Sequence, residues 1–226
     1  AFHVEVDPRI EAISEALPGA NCGGCGFVGC GDYAEAVVKE GAPVNLCPPG
    51  GPAAAQAIAD IMGVEVGEAV PKRAVVRCGG SRDKLARVKD YRGEPTCAAA
   101  TLVGGIQSCA YGCLGLGDCV ESCNYDAIHV RNGLAVVDYD KCIGCAACAK
   151  VCPHHLIEMV PFHQERMPAV LCSSPDFGAD VKKACRVGCI GCSACRKAVP
   201  QVFEMQGKLA RVKEECLEEP PDIGPA

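Results

Sequence analysis

The chain has 226 residues, a formal net charge of −6, and 20 cysteines against no Trp, five Phe and five Tyr. The acidic balance, with no basic patch carrying interleaved aromatics, argues against a nucleic-acid partner. So few aromatic side chains leave little material for a large conventional core, and small domains of this kind replace it with disulfides or metals.

Spacing separates those two options. A secreted disulfide framework scatters its cysteines, whereas Cys142, Cys145, Cys148 and Cys152 are separated by two, two and three residues. Thiolates that close converge on one point, as in a metal centre. The sequence contains no secretory signal and no apolar run of about eighteen residues.

In chain order, residues 1–65 read as a small helical unit. IEAISEAL (10–17), YAEAVVKEG (33–41) and PAAAQAIADIMG (52–63) have helical character, the last with Pro at its start. Between them lie Cys22, Cys25, Cys30 and Cys47, at intervals of two, four and sixteen residues that do not match a bacterial ferredoxin run. On spacing alone this is a cluster site of unknown purpose, with a staple and a zinc site as rivals. VEVGEAVPK (64–72) reads as a linker and AVVRC (74–78) as a short buried strand.

The second half contains a repeat. SCAYGCLGLGDCVESC (108–123) aligns without gaps on ACRVGCIGCSACRKAV (184–199), pairing Cys109, Cys113 and Cys119 with Cys185, Cys189 and Cys195. Upstream, AVVRCGGS (74–81) is similar to AVLCSSP (169–175), pairing Cys78 with Cys172. Duplication predicts equivalent structural places for the paired cysteines.

CIGCAACAKVCP (142–153) is the C-x2-C-x2-C-x3-C-P run of bacterial ferredoxins, in which the fourth cysteine crosses to the other cluster of a pair. A zinc site would favour two separated C-x2-C knuckles. The partner half-motif is Cys109, Cys113, Cys119 and Cys123, irregular because Leu116 and Asn124 stand where Cys and Pro are usual. One cluster is therefore expected on Cys123, Cys142, Cys145 and Cys148. A second is expected on Cys109, Cys113, Cys119 and Cys152, with a merely buried thiol at Cys109 or Cys113 as the alternative.

A third run, Cys189, Cys192 and Cys195, precedes VPQVFEMQGKLARV, in the manner of single-cluster ferredoxins. Its fourth ligand is expected to be Cys216, with Cys172 or Cys185 as alternatives. Cys78, Cys97, Cys172 and Cys185 then remain and would complete a further quartet; inert packed thiols are the competing reading. The count is at least three [4Fe–4S] clusters, with four or five expected. His154 and His155 follow the cluster motif and are placed to tune it. LGLGD (114–118) is no dinucleotide fingerprint, and no catalytic residue is expected, since the chemistry belongs to the clusters.

LPGANCGGCGFVGC with NLCPPGG, VRCGGS, TCAAATLVGGIQSCAYGCLGLGDCVESC and KCIGCAACAKVCPHHLI together resemble the B subunit of the Rnf complex. The resemblance runs to about residue 199. It implies that Cys22, Cys25, Cys30 and Cys47 bind a [4Fe–4S] cluster. It also implies an electron-transfer subunit of a membrane ferredoxin:NAD oxidoreductase that moves sodium or protons. Electrons would arrive from reduced ferredoxin and leave toward flavin-carrying subunits. The place implied is the cytoplasmic face of a bacterial or archaeal inner membrane, with attachment through a segment not in this sequence.

Two features depart from the longer members. Val199 stands where a further ferredoxin motif would have Cys, and the chain ends in LEEPPDIGPA after Cys216. The alternatives are a soluble polyferredoxin subunit of a hydrogenase or bifurcating flavoenzyme, and a zinc-scaffolded interaction module. A corrinoid iron–sulfur protein would need a barrel domain for which the chain has no room. The expected fold is α+β, with a helical [4Fe–4S] domain (1–65), a linker or insert (66–107), a two-cluster ferredoxin-like domain (108–162) and a single-cluster module with tail (163–226). Its modules would be ferredoxin-like βαβ units stabilised by clusters.

Overall fold

Pro8 and the residue before it start the first helix. The Asp7 carboxylate accepts the Arg9 N–H at 2.9 Å, and Pro at the first helical position needs no donor. The computed structural model describes residues 7–67 and 70–218. In it α1 spans Pro8–Ala16, α2 Cys30–Glu40 and α3 Gly51–Met62. Helix α2 starts earlier than its apolar pattern suggests, because Asn21 Oδ1 takes the Cys30 N–H at 2.8 Å. The second and third helices both end on left-handed glycines, Gly41 and Gly63.

The three helices share one core in which Ile13, Tyr33 and Ile58 are fully buried beside Val37 and Ala59. Each large apolar side chain buried this way contributes about 1.5–3 kcal/mol. Tyr33 also ties down a loop, since its hydroxyl donates to the Pro43 carbonyl at 2.7 Å and accepts the Leu46 N–H at 3.2 Å. Those bonds fasten the segment that delivers Cys47. Tyr33→Phe leaves both backbone groups unpaired, at an expected cost of about 1–3 kcal/mol. The loss should be read as a lower denaturant midpoint for this unit; an unchanged midpoint would show that the tie carries no stability.

The chain divides into two units. The first ends at Pro71 and takes in Ile143–Cys145, and the second comprises the rest from Lys72 onward. The second unit holds three antiparallel pairs: β1 (Lys72–Val76) with β4 (Ile157–Pro161), β2 (Ile128–Arg131) with β3 (Leu134–Val137), and β5 (Phe203–Gln206) with β6 (Leu209–Val212). Between the strands lie short helices, α4 (Cys97–Val103), α5 (Asp118–Glu121), α6 (Ala147–Val151), α7 (Gly178–Ala184) and α8 (Ala194–Ala198), and α9 (Glu215–Glu218) follows the last strand. Helices mixed with small sheets fit the α+β class.

One expectation changes here. All strand pairs among the described residues are antiparallel, and helices lie between β1 and β2 and between β3 and β4, a strand–helix–strand order in each half. Residues 66–107, expected as a linker or insert, supply β1 to a sheet with β4. The reason is burial: Ala74, Val75 and Val76 are all buried, and an apolar strand needs a partner. The strand also ends before Cys78, which frees that cysteine for a loop. Glu68 and Ala69 of the expected linker and the tail from residue 219 lie outside the described residues. Among the described residues no helix is long and apolar enough to cross a membrane.

Candidate metal centres

In the first unit, the Gly-rich loop and the turn before α3 bring Cys22, Cys25, Cys30 and Cys47 around one cavity floored by Tyr33. Burial pushes the Cys47 thiol up, and the charges of Cys30, Cys25 and Cys22 push it further. Four thiols around one cavity are a donor set for a cationic centre, which binds them as thiolates.

In the second unit the core is built from cysteines as much as from hydrocarbon. Cys119, Cys142 and Cys148 are buried with Ala74, Val76, Ala127, Ile128, Ala135 and Ile157, and Cys123 and Cys152 pack against them. Backbone N–H groups aim at the sulfurs: Ala74 at Cys142 Sγ (3.5 Å), Ala127 at Cys123 Sγ (3.5 Å) and Leu156 at Cys152 Sγ (3.4 Å). The last two are equivalent, each reaching back four residues past a left-handed residue, Asp126 or His155. Such donors stabilise thiolate charge and help set a bound cluster's potential.

Cys97, Cys113, Cys119 and Cys152 line one apolar cavity of about 30 Å³. Burial holds the free Cys113 thiol up at about 11 and Cys119 at about 12, with Cys97 adding to both. In the iron-free chain these thiols keep their protons at neutral pH, and ligation must displace them. Cys109 is not part of that lining and lies close enough to Cys78, Cys185 and Cys172 for their charges to repel.

Asp118 holds Cys97 in that place. Its carboxylate accepts the Cys97 N–H at 2.6 Å and the Ala98 N–H at 3.1 Å, while Thr96 caps the same helix through the Ala99 N–H. Burial alone would raise the Asp118 pKa, but the hydrogen bonds from Cys97 and Ala98 outweigh it and the net direction is down. A residue beside Cys119 thereby seats the first turn of α4, and Cys97 with it. The local signal was Thr96 ahead of CAAAT, an N-cap before a run of helix formers.

The repeat shares geometry. Gly115 lies against the Gly133 carbonyl of the β2–β3 turn, and its counterpart Gly191 lies against the Lys208 carbonyl of the β5–β6 turn. Both are left-handed, at φ +68° and +70°, and a Cβ on Gly191 would come within 2.8 Å of that oxygen. Leu116 and Cys192 follow them. In the C-terminal run Cys192 is exposed, Cys189 and Cys195 are half-buried, and Cys216 is buried with its thiol donating to the Gln201 carbonyl at 2.9 Å. His154 takes a structural place, its Nδ1 2.8 Å from the Gly112 carbonyl and its Nε2 3.4 Å from Thr101.

Among the described residues no three His, Cys, Asp or Glu side chains close in tightly enough for a single ion. Instead Cys22, Cys25, Cys30 and Cys47 ring one small cavity, and Cys97, Cys113, Cys119 and Cys152 another. That donor set fits a four-iron cube, in which each corner iron takes one thiolate.

Fold and donor chemistry define the chain as an iron–sulfur protein. Residues 17–49 match the family described as a putative Fe–S cluster, and residues 135–158 match the 4Fe–4S binding domain. Over 190 residues the chain is 43% identical to the B subunit of the Na⁺-translocating ferredoxin:NAD⁺ oxidoreductase complex of Acetobacterium woodii, covering 83% of this chain and 56% of that protein. It is 41% identical over 190 residues to the B subunit of the ion-translocating oxidoreductase complex of Methanosarcina acetivorans, covering 83% of this chain and 71% of the relative. Identity to the B subunit of the proton-translocating ferredoxin:NAD⁺ oxidoreductase complex of Clostridium ljungdahlii is 42% over 191 residues, 83% of this chain and 66% of that protein. The chain therefore spans little more than half the length of the first of these relatives. It belongs to the family of B subunits of ion-translocating oxidoreductase complexes.

Proposed function

We propose that the chain relays single electrons through several [4Fe–4S] clusters, from reduced ferredoxin toward the flavin-carrying subunits of a membrane complex. That complex reduces NAD and moves sodium or protons, and it holds this chain at the cytoplasmic face of the membrane. The observation that carries the reading is the gathering of cysteines in fours around small cavities, with backbone N–H groups aimed at Cys123, Cys142 and Cys152 nearby. Bound clusters supply one-electron uptake and release.

The chain's own residues hold, orient and shield these centres. One ligand set is Cys22, Cys25, Cys30 and Cys47, and a second is Cys123, Cys142, Cys145 and Cys148. The third is Cys97, Cys113, Cys119 and Cys152. The C-terminal run Cys189, Cys192 and Cys195 takes Cys216 as fourth ligand, a choice supported by the engagement of Cys172 and Cys185 with Cys78 and Cys109.

Iron and acid-labile sulfide should be quantified on anaerobically prepared protein. The expected result is about sixteen to twenty irons with matching sulfide, and interacting [4Fe–4S] signals in EPR after reduction by ferredoxin. A colourless protein holding zinc and no sulfide would overturn the relay.

A further inference from the structure

Four cysteines remain outside the sets above, in segments far apart in the chain. Cys78 follows β1, Cys109 lies in the loop before Cys113, Cys172 precedes α7, and Cys185 follows it. All four line a second cavity of about 30 Å³ in the same unit. Cys78 lies near enough to Cys185 and Cys172 for their charges to act on it, and Cys109 faces all three others. Thiols packed as small hydrophobes would fill space with their neighbours. These line a space instead.

The surroundings are built for close approach. A Cβ on Gly80 would stand 3.3 Å from Cys185 Sγ and 3.7 Å from Cys78 Sγ, and one on Gly112 would stand 3.5 Å from Cys109 Sγ. The Cys113 N–H donates to Cys78 Sγ at 3.4 Å. The segments that carry the four are tied to one another. Gly79 N–H donates to the Leu171 carbonyl at 2.9 Å, Ser173 Oγ to the Arg77 carbonyl at 3.0 Å, and Ser108 Oγ to the Ala184 carbonyl at 2.7 Å.

The set also has a symmetry that its sequence separation conceals. Cys109 and Cys185 are equivalent in the repeat, as are Cys78 and Cys172, so each copy contributes one of each pair. Neither copy alone carries more than two of the four donors. Folding of both copies against each other completes the cage.

We propose that Cys78, Cys109, Cys172 and Cys185 hold a further [4Fe–4S] cluster, formed jointly by the two halves of the repeat and lying outside both stretches matched to iron–sulfur domain families. The proposal rests on the iron–sulfur reading given above. The Cys113 N–H sets the new site one hydrogen bond from a ligand of the ferredoxin pair. The site therefore belongs to the same array and is no isolated staple.

The test compares the full chain with Cys172→Ala, Cys185→Ala and the double variant, all prepared anaerobically. Each single substitution should lower iron from about twenty to about sixteen per chain, and the double variant should lose no more than either single, because one cage is lost once. Unchanged iron in the single variants, or a loss of about eight in the double, would overturn the proposal. Should a variant not fold, the unsubstituted iron-loaded chain can be alkylated instead. Cys78, Cys109 and Cys172 are half-buried, so their protection reads ligation: all four should resist reagent until iron is chelated, and reaction in the loaded chain would overturn the site. A wild-type chain without iron and sulfide would instead sink the relay itself.

Discussion

Cys97→Ala should remove about four irons from the chain and convert the coupled EPR spectrum of the ferredoxin pair into that of a single isolated cluster. The expectation follows from three observations. Cys97 is buried, shares a cavity with Cys113, Cys119 and Cys152, and has its N–H seated on Asp118 at 2.6 Å. Alanine keeps the helix, since it is the best helix former, and removes only the sulfur. Cys109→Ala provides the contrast. It should also cost about four irons, but the coupled spectrum of the pair should persist, because the lost centre is the one shared with Cys78, Cys172 and Cys185. The reverse pattern, with Cys109 needed for coupling and Cys97 dispensable, would restore the grouping that chain proximity suggests.

Anaerobic removal of iron should melt the second unit while the helices of the first keep much of their protection. The first unit buries Ile13, Tyr33 and Ile58 completely in a three-helix core, which contributes apolar burial that needs no metal. In the second, the buried set is dominated by alanines and by Cys119, Cys142 and Cys148. Side chains that small leave space at the centre of the sheets, and two-stranded sheets are marginal by themselves. Ligation energy is then folding energy, as in other small metal-built domains. Hydrogen exchange checks this directly. Amides of β1 to β4 should fall to unfolded-like exchange after chelation, and those of α2 and α3 should stay measurably slower. Retained protection in the β1–β4 pair would show that the hydrocarbon core suffices.

The start of α3 was legible from local chemistry, because a proline in the first turn acts locally, whereas α1 begins at Pro8, two residues before its apolar pattern. The β2–β3 hairpin has the same character: Asn132 and Gly133, both at positive φ, form the two-residue turn that such a dipeptide favours. The pairing of β1 with β4 was not legible. It joins Ala74 to Met159, and nothing near Ala74 names a partner that distant in the chain.

The metal sites divide along the same line. The run from Cys142 to Cys152 and the loop from Cys22 to Cys30 show their chemistry in the sequence, because short covalent tethers bring neighbouring thiolates to one place whatever the remainder does. Cys97 and Cys109 look interchangeable to such a reading, and proximity along the chain favours Cys109. What separates them is the Asp118 carboxylate, which draws the first turn of α4 to Cys119 from 21 positions away in the chain. Likewise the repeat shows in the sequence that Cys78 matches Cys172 and Cys109 matches Cys185. That the matched pairs meet around one cavity was decided only by the tertiary structure, since convergence of four separated segments depends on packing of the whole unit and on no local rule.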